Sequence, residues 1–192
     1  MAKIETTCVQ GGWEPKKGEP RVVPIYQSTT FKYDTSAQMA DLFDLKAEGY
    51  FYTRLQNPTN DVVAKKIAAL EGGVAAMLTS SGQAASFYPI FNICEAGDHF
   101  ISTAAIYGGT FNLFEVTMRK LGIEVTFVDQ DASDEEIEKA FRPNTKAFFG
   151  ETIANPAGSV LDIERMAKIA HKHGVPLIID NTFATPVNCR PF

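Results

Sequence analysis

A chain of 192 residues that is 45% hydrophobic and 21% charged, with a formal net charge of −5, has enough apolar surface for one large domain or a domain with a small appendage. That balance excludes a disordered polymer. No apolar run approaches the roughly 20 residues that span a bilayer, and the opening Met1-Ala2-Lys3-Ile4-Glu5 lacks the apolar stretch of a signal peptide. A mildly acidic chain without Lys/Arg clusters suits neither nucleic acid nor an anionic membrane. The class expected is a cytoplasmic protein that handles a small molecule. Cys8, Cys94 and Cys189 are far apart and form no C-x-x-C pair, so they read as free thiols of a reducing compartment.

Up to Tyr33 the chain carries Gly11-Gly12, Pro15, Pro20 and Pro24 and little periodicity, which predicts an extended arm lying on a partner subunit or on the chain's own surface. Ser36 is expected to cap a helix that Gly49 stops, and Asn57-Pro58-Thr59-Asn60 to start another that ends at Gly72-Gly73. Strands are then expected at Val74–Thr79, His99–Thr103, Glu124–Val128, Lys146–Gly150 and Val175–Ile179. Helices fall between them: one from Ser80-Ser81-Gly82 to Cys94, one from Gly108-Gly109 to Gly122, one opened by the capping box Ser133…Glu136, and one from about Asp162 to His173. Short, apolar, non-alternating strands between helices predict an α/β fold whose mostly parallel sheet is covered on both faces.

Several turns at strand ends carry chemistry. Thr79-Ser80-Ser81-Gly82-Gln83 passes from strand to helix, where orphan amides and the helix dipole favour an anion; the same pattern also occurs as an ordinary turn. Asp180 closes the most apolar strand, and is either a turn former or a placed charge that would suit the protonated ring nitrogen of pyridoxal phosphate (PLP). Tyr107, before two glycines, either packs or stacks on a flat heteroaromatic ring. Asn155 before Pro156 is a turn signal or an amide donor to a phenolic oxygen, with Glu151 as its support. Tyr52 and Arg54 form a surface loop or a phosphate grip, Arg by its bidentate fork. His171 and His173 do not share a helix face and read as solvent-side residues, and His99 has no evident partner.

The ordered set Tyr52-Thr-Arg-x-x-Asn-Pro-Thr59, Ser80-Ser-Gly82, Tyr107-Gly-Gly-Thr110, Glu151-Thr-x-x-Asn-Pro156 and Asp180-Asn-Thr-Phe-Ala-Thr-Pro186 resembles the Cys/Met-metabolism PLP-dependent enzymes, of the aspartate-aminotransferase fold (fold type I). The resemblance runs from about Thr7 to Phe192. Pro24-Ile-Tyr-Gln-Ser-Thr29, Phe149-Gly-Glu-Thr152 and Cys189-Arg-Pro191 are similar to the O-acetylhomoserine sulfhydrylase branch, and Gly109 stands where methionine γ-lyases carry Cys after Tyr-Gly.

The resemblance implies site roles. Ser81, Gly82 and Gln83 would hold the cofactor phosphate, Tyr107 would stack on the ring, Asp180 would pair with its nitrogen, Asn155 would reach its hydroxyl with support from Glu151, and Thr182 would sit beside it. Tyr52 and Arg54 would reach into a neighbouring subunit of a homodimer or homotetramer. It further implies γ-replacement on O-acetyl-L-homoserine by sulfide or a thiol, giving homocysteine or methionine and acetate. The alternatives are cystathionine γ-synthase or methionine/cystathionine γ-lyase chemistry, or a non-catalytic PLP- or phosphate-binding fragment. Residues 1–55 are expected to form the arm and dimer-contact segment, and 56–192 the PLP-binding domain. The family's Schiff-base lysine and smaller C-terminal domain would follow Phe192, so the chain is expected to be an N-terminal portion, inactive alone.

Overall fold

The structure, a computed structural model, describes residues 3–192. The chain divides into two compact units, residues up to Leu78 together with Phe192, and Thr79–Pro191.

In the first unit the arm is not extended throughout. Ile4–Gln10 forms helix α1, whose half-buried face is Ile4, Thr7 and Cys8, spaced i, i+3, i+4. Two of those three side chains are small or polar, so the face carries little apolar signal. After α1, Gly12 at φ 82° runs so close to helix α3 (Pro58–Glu71) that a Cβ would meet the Val62 carbonyl oxygen at 2.1 Å. The Asn-Pro-Thr turn before α3 acts as cap and fastener at once. Asn57 accepts from the Thr59 amide at 2.9 Å and donates to the Tyr26 carbonyl at 3.0 Å, while the Thr59 hydroxyl donates to the Pro24 carbonyl at 3.0 Å. Helix α2 (Ser36–Phe43) is capped by Thr35 rather than by the expected Ser36, because Gln38, three residues beyond Thr35, completes the capping box.

The four-stranded sheet of the second unit is parallel. Strands β1 (His99–Thr103), β2 (Glu124–Val128), β3 (Thr145–Glu151) and β4 (Leu177–Asp180) lie in the order β2-β1-β3-β4. The helices are α4 (Gly82–Ile93), α5 (Gly108–Asn112) running on into a π-helical turn at Leu113–Met118, α6 (Asp134–Glu138), α7 (Ile163–Lys172) and α8 (Thr185–Asn188). The Ser133–Glu136 capping box opens α6 as expected. The expected strand at Val74–Thr79 does not form, and Val74 and Met77 are exposed. An apolar run supplies side chains to bury but not the ladder partner that a strand's amides require.

The interior β1 and β3 bury apolar side chains on both faces because helices cover both. Phe100 and Phe149 belong to a cluster with Ile90, Phe114 and Met118; the adjacent Ile101 and Phe148 belong to another with Ile137, Met166 and Ile169. In the first cluster the Phe114 ring meets Phe100 and Phe149 edge-on, each at 4.9 Å between centroids, a favoured aromatic geometry. Arg165 fastens α7 to the start of α6 through Asp134 at 2.6 Å and to the loop after β2 through the Gln130 carbonyl at 3.0 Å. Cys8, Cys94 and Cys189 are free thiols.

His99 does have partners, and they come from the neighbouring strands. Its Nδ1 is 2.8 Å from the Thr145 hydroxyl and its Nε2 2.9 Å from that of Thr126. Burial, with the Arg142 charge nearby, lowers its pKa to about 4. The unfolded chain therefore takes up a proton below about pH 6.5 that the folded chain refuses. Stability is expected to be full above that pH and to fall by up to about 3 kcal/mol as pH drops towards 4. Urea unfolding at about pH 7 and about pH 4.5 measures this; the difference should shrink in His99→Gln, and an equal difference in that variant would contradict the assignment.

Candidate functional site

All three loops that follow the interior strands and β4 meet the start of α4 at one cavity of about 470 Å³. That size suits a small molecule. Its wall includes Ser81, Gly82, Gln83, Tyr107, Glu151, Asn155, Asp180 and Thr182. Eight of the ten residues singled out from the sequence are thus brought together. Tyr52 and Arg54 lie in the other unit, with the exposed Arg54 guanidinium 5.1 Å from the Tyr52 ring centroid.

At the α4 end, Ser81 is the N-cap and its hydroxyl oxygen accepts from the Ala84 amide at 3.1 Å. The cap leaves the Ser81 proton free to be donated, and leaves Gly82 and Gln83 as the first helical residues, whose amides have no acceptor within the helix. The Gln83 side chain donates to the Thr110 hydroxyl at 3.1 Å, joining the start of α4 to the start of α5. A dipole-positive terminus with two free amides and a hydroxyl fits a phosphate-sized anion.

Tyr107 caps α5 through its backbone, with its side chain half exposed at the cavity. The ring lies against Gly109, where a Cβ would stand 2.5 Å from ring carbon Cε1. The second glycine of Tyr-Gly-Gly therefore makes room for the ring.

The register of β3 on β4 sets Glu151 opposite Asp180 at the carboxyl edge of the sheet. The Glu151 carboxylate is buried and accepts from the Tyr107 amide at 2.7 Å and the Asn155 amide at 3.3 Å. Burial raises its pKa above the usual carboxylate range and the Asp180 charge adds to that, while the two amides pull it down. Asp180 accepts the Thr182 amide at 2.9 Å and the Thr182 hydroxyl, both on Oδ1. Its Oδ2 is left for a further donor, as a protonated ring nitrogen would be. A helix start with unpaired amides and a carboxylate on one cavity, with an aromatic ring at its rim, suit the phosphate, ring nitrogen and flat ring of PLP.

Thr110, Ser86, Ile153 and Phe183 also line the cavity and carried no role in the sequence reading. Thr110 stands in the Tyr-Gly-Gly-Thr motif and Phe183 in Asp-Asn-Thr-Phe, so their signal was position within a motif rather than side-chain chemistry. His173 stacks on Phe141 at 3.9 Å between ring centroids, outside this cavity.

An α/β fold with a ligand cavity at the carboxyl edge of a parallel sheet is what these observations define. The family described as Cys/Met metabolism PLP-dependent enzyme matches residues 5–192, and the chain belongs to it. It is 50% identical over 189 residues to an O-acetyl-L-homoserine sulfhydrylase of Corynebacterium glutamicum, covering 98% of this chain and 43% of that protein. It is 48% identical over 173 residues to a homocysteine/cysteine synthase of Kluyveromyces lactis, covering 90% and 39%. A crystal structure described as an O-acetylhomoserine (thiol)-lyase of Campylobacter jejuni, carrying a pyridoxyl-lysine phosphate, superposes with a TM-score of 0.95 at 38% identity, over 100% of this chain and 47% of that one. A cystathionine gamma-lyase from Lactobacillus plantarum superposes with a TM-score of 0.87 at 37% identity, over 99% and 47%. The chain thus spans less than half the length of these relatives.

Gly109→Ala is expected to drive the Tyr107 ring off its seat while changing stability by about 1 kcal/mol or less, because alanine also favours the helix. Ring chemical shifts of Tyr107 report the displacement, and unmoved shifts would show that Gly109 does not set the ring's place.

Proposed function

We propose that this protein acts as a PLP-dependent O-acetylhomoserine sulfhydrylase, exchanging acetate for sulfide or a thiol at the γ-carbon of O-acetyl-L-homoserine to give homocysteine or methionine. The observation that carries the reading is the single cavity that combines the amide-bearing start of α4 with Asp180 and the Tyr107 ring. The names of the relatives at 44–50% identity supply the substrate.

Bound PLP supplies an electron sink for the pair left when the substrate loses its α-proton. The Gly82 and Gln83 amides and the Ser81 hydroxyl hold the phosphate, and the Tyr107 ring flanks the pyridine. Asp180 keeps the ring nitrogen protonated, its carboxylate fixed by both donors of Thr182. The Asn155 side-chain amide would reach the ring hydroxyl. In this reading Tyr52 and Arg54 reach a neighbouring subunit's phosphate site, residues 1–55 serve as arm and dimer contact, 56–192 form the cofactor domain, and the protein works in the cytoplasm as a homodimer or homotetramer. Arg54 supports only the reach of that segment towards another subunit: it is exposed and rests on the Tyr52 ring. The described residues hold no helix long and apolar enough to cross a membrane.

The protein as its gene encodes it, supplied with PLP, O-acetyl-L-homoserine and sulfide, is expected to form homocysteine faster than it releases methanethiol from methionine. Faster methanethiol release would instead assign a lyase, and cystathionine formed with cysteine in place of sulfide would assign a cystathionine γ-synthase. Asp180→Asn, which removes the charge facing the ring nitrogen, is expected to weaken PLP binding by about tenfold or more.

A further inference from the structure

We infer that Glu151 is the positioning residue of the cavity, its buried carboxylate tying the loop after β1 to the loop after β3 so that Tyr107 and Asn155 are held where a bound cofactor needs them. The inference rests on the PLP reading of the cavity and goes beyond it, because Glu151 acts through two other residues rather than by touching the ring.

Its two oxygens are divided between the two loops. Oε1 takes the amide of Tyr107, 44 residues earlier in the chain, and Oε2 takes that of Asn155, four residues later. Glu151 is only 5% exposed and stands beside a second acid, Asp180, across the β3–β4 pairing. Keeping an anion there is costly unless donors compensate it. The donors are backbone amides within the two site loops, so the compensation for the charge is also what fixes the loops. Only an ionised carboxylate presents an acceptor at both ends; a glutamine would turn its NH₂ group towards one of the amides. The π-helical turn, the Phe114 packing and the Gly109 seat all lie beyond Tyr107 in the chain, and the acceptor for the Tyr107 amide is Glu151.

The full chain and its Glu151→Gln, Glu151→Asp and Met166→Ala variants test this by amide hydrogen exchange and by PLP titration followed by absorbance. Glu151→Gln should speed exchange at Tyr107 and Asn155 above the rest of the sheet and weaken PLP binding by about tenfold. Glu151→Asp keeps the charge but is one methylene shorter and should fall between. Met166→Ala, in the core cluster that does not hold Phe114, should lower stability and leave PLP affinity unchanged, which separates positioning from general loss of fold. In the wild type, acid should weaken PLP binding as Glu151 gains a proton, with Asp180 the charged group facing it from β4; that component should vanish in Glu151→Gln. Unchanged exchange at both amides, or PLP affinity equal to the wild type, in Glu151→Gln and Glu151→Asp would overturn the inference while leaving the cofactor reading intact. A wild type that takes up no PLP would overturn that reading and the inference with it.

Discussion

A parallel strand sends successive side chains to opposite faces, so the register of β3 against both of its neighbours decides what is buried and what stands at the site. With Phe148 opposite Leu177, Glu151 falls opposite Asp180; with Phe149 opposite Ser102, the loop after β1 starts where the Tyr107 amide reaches Glu151. A slip of one residue would exchange Phe148 and Phe149 between the two core clusters and withdraw Glu151 from the edge. The apolar packing that holds the sheet and the polar geometry of the cavity therefore depend on the same pairing. Two aromatic side chains, each buried on its own face, make that pairing hard to alter.

The order of events along the chain turns this constraint into a site. β1, β3 and β4 each leave the sheet at the same edge, and each delivers one short polar motif there. Tyr-Gly-Gly-Thr provides a ring and a glycine seat, Glu-Thr-x-x-Asn-Pro provides a buried carboxylate and an amide side chain, and Asp-Asn-Thr provides a carboxylate fastened by its own turn. The start of α4 adds donors without any basic side chain, which agrees with a chain that is acidic overall yet reads as binding a phosphorylated cofactor. In the first unit the Asn57-Pro58-Thr59 motif is spent on capping α3 and fastening residues 24–26, a structural task.

The sequence shows whatever is encoded locally. The capping box at Ser133 and Glu136, the strand–helix alternation and the position of Asp180 after an apolar run are short-range patterns, and each appears in the fold where the residues place it. What escapes the sequence depends on pairing across the chain. His99 gains its partners only when Thr126 and Thr145 arrive on adjacent strands. Glu151 reads as support for nearby Asn155, whereas its shorter bond goes to Tyr107, for which no local pattern exists. The run Val74–Thr79 has the composition of a strand and no ladder. The shift from Ser36 to Thr35 as a cap is of another kind: the decisive residue was Gln38, two positions away from one candidate and three from the other.

The central claim is that one cavity recognises both ends of one molecule, its phosphate at α4 and its ring at Asp180 and Tyr107. Titration calorimetry of the chain with PLP, with pyridoxal and with inorganic phosphate tests it most directly. The account predicts that PLP binds at least about tenfold more tightly than either part, since each part leaves one set of donors or the carboxylate unmatched. Equal affinity for pyridoxal and PLP would contradict it, because the start of α4 would then contribute nothing to recognition.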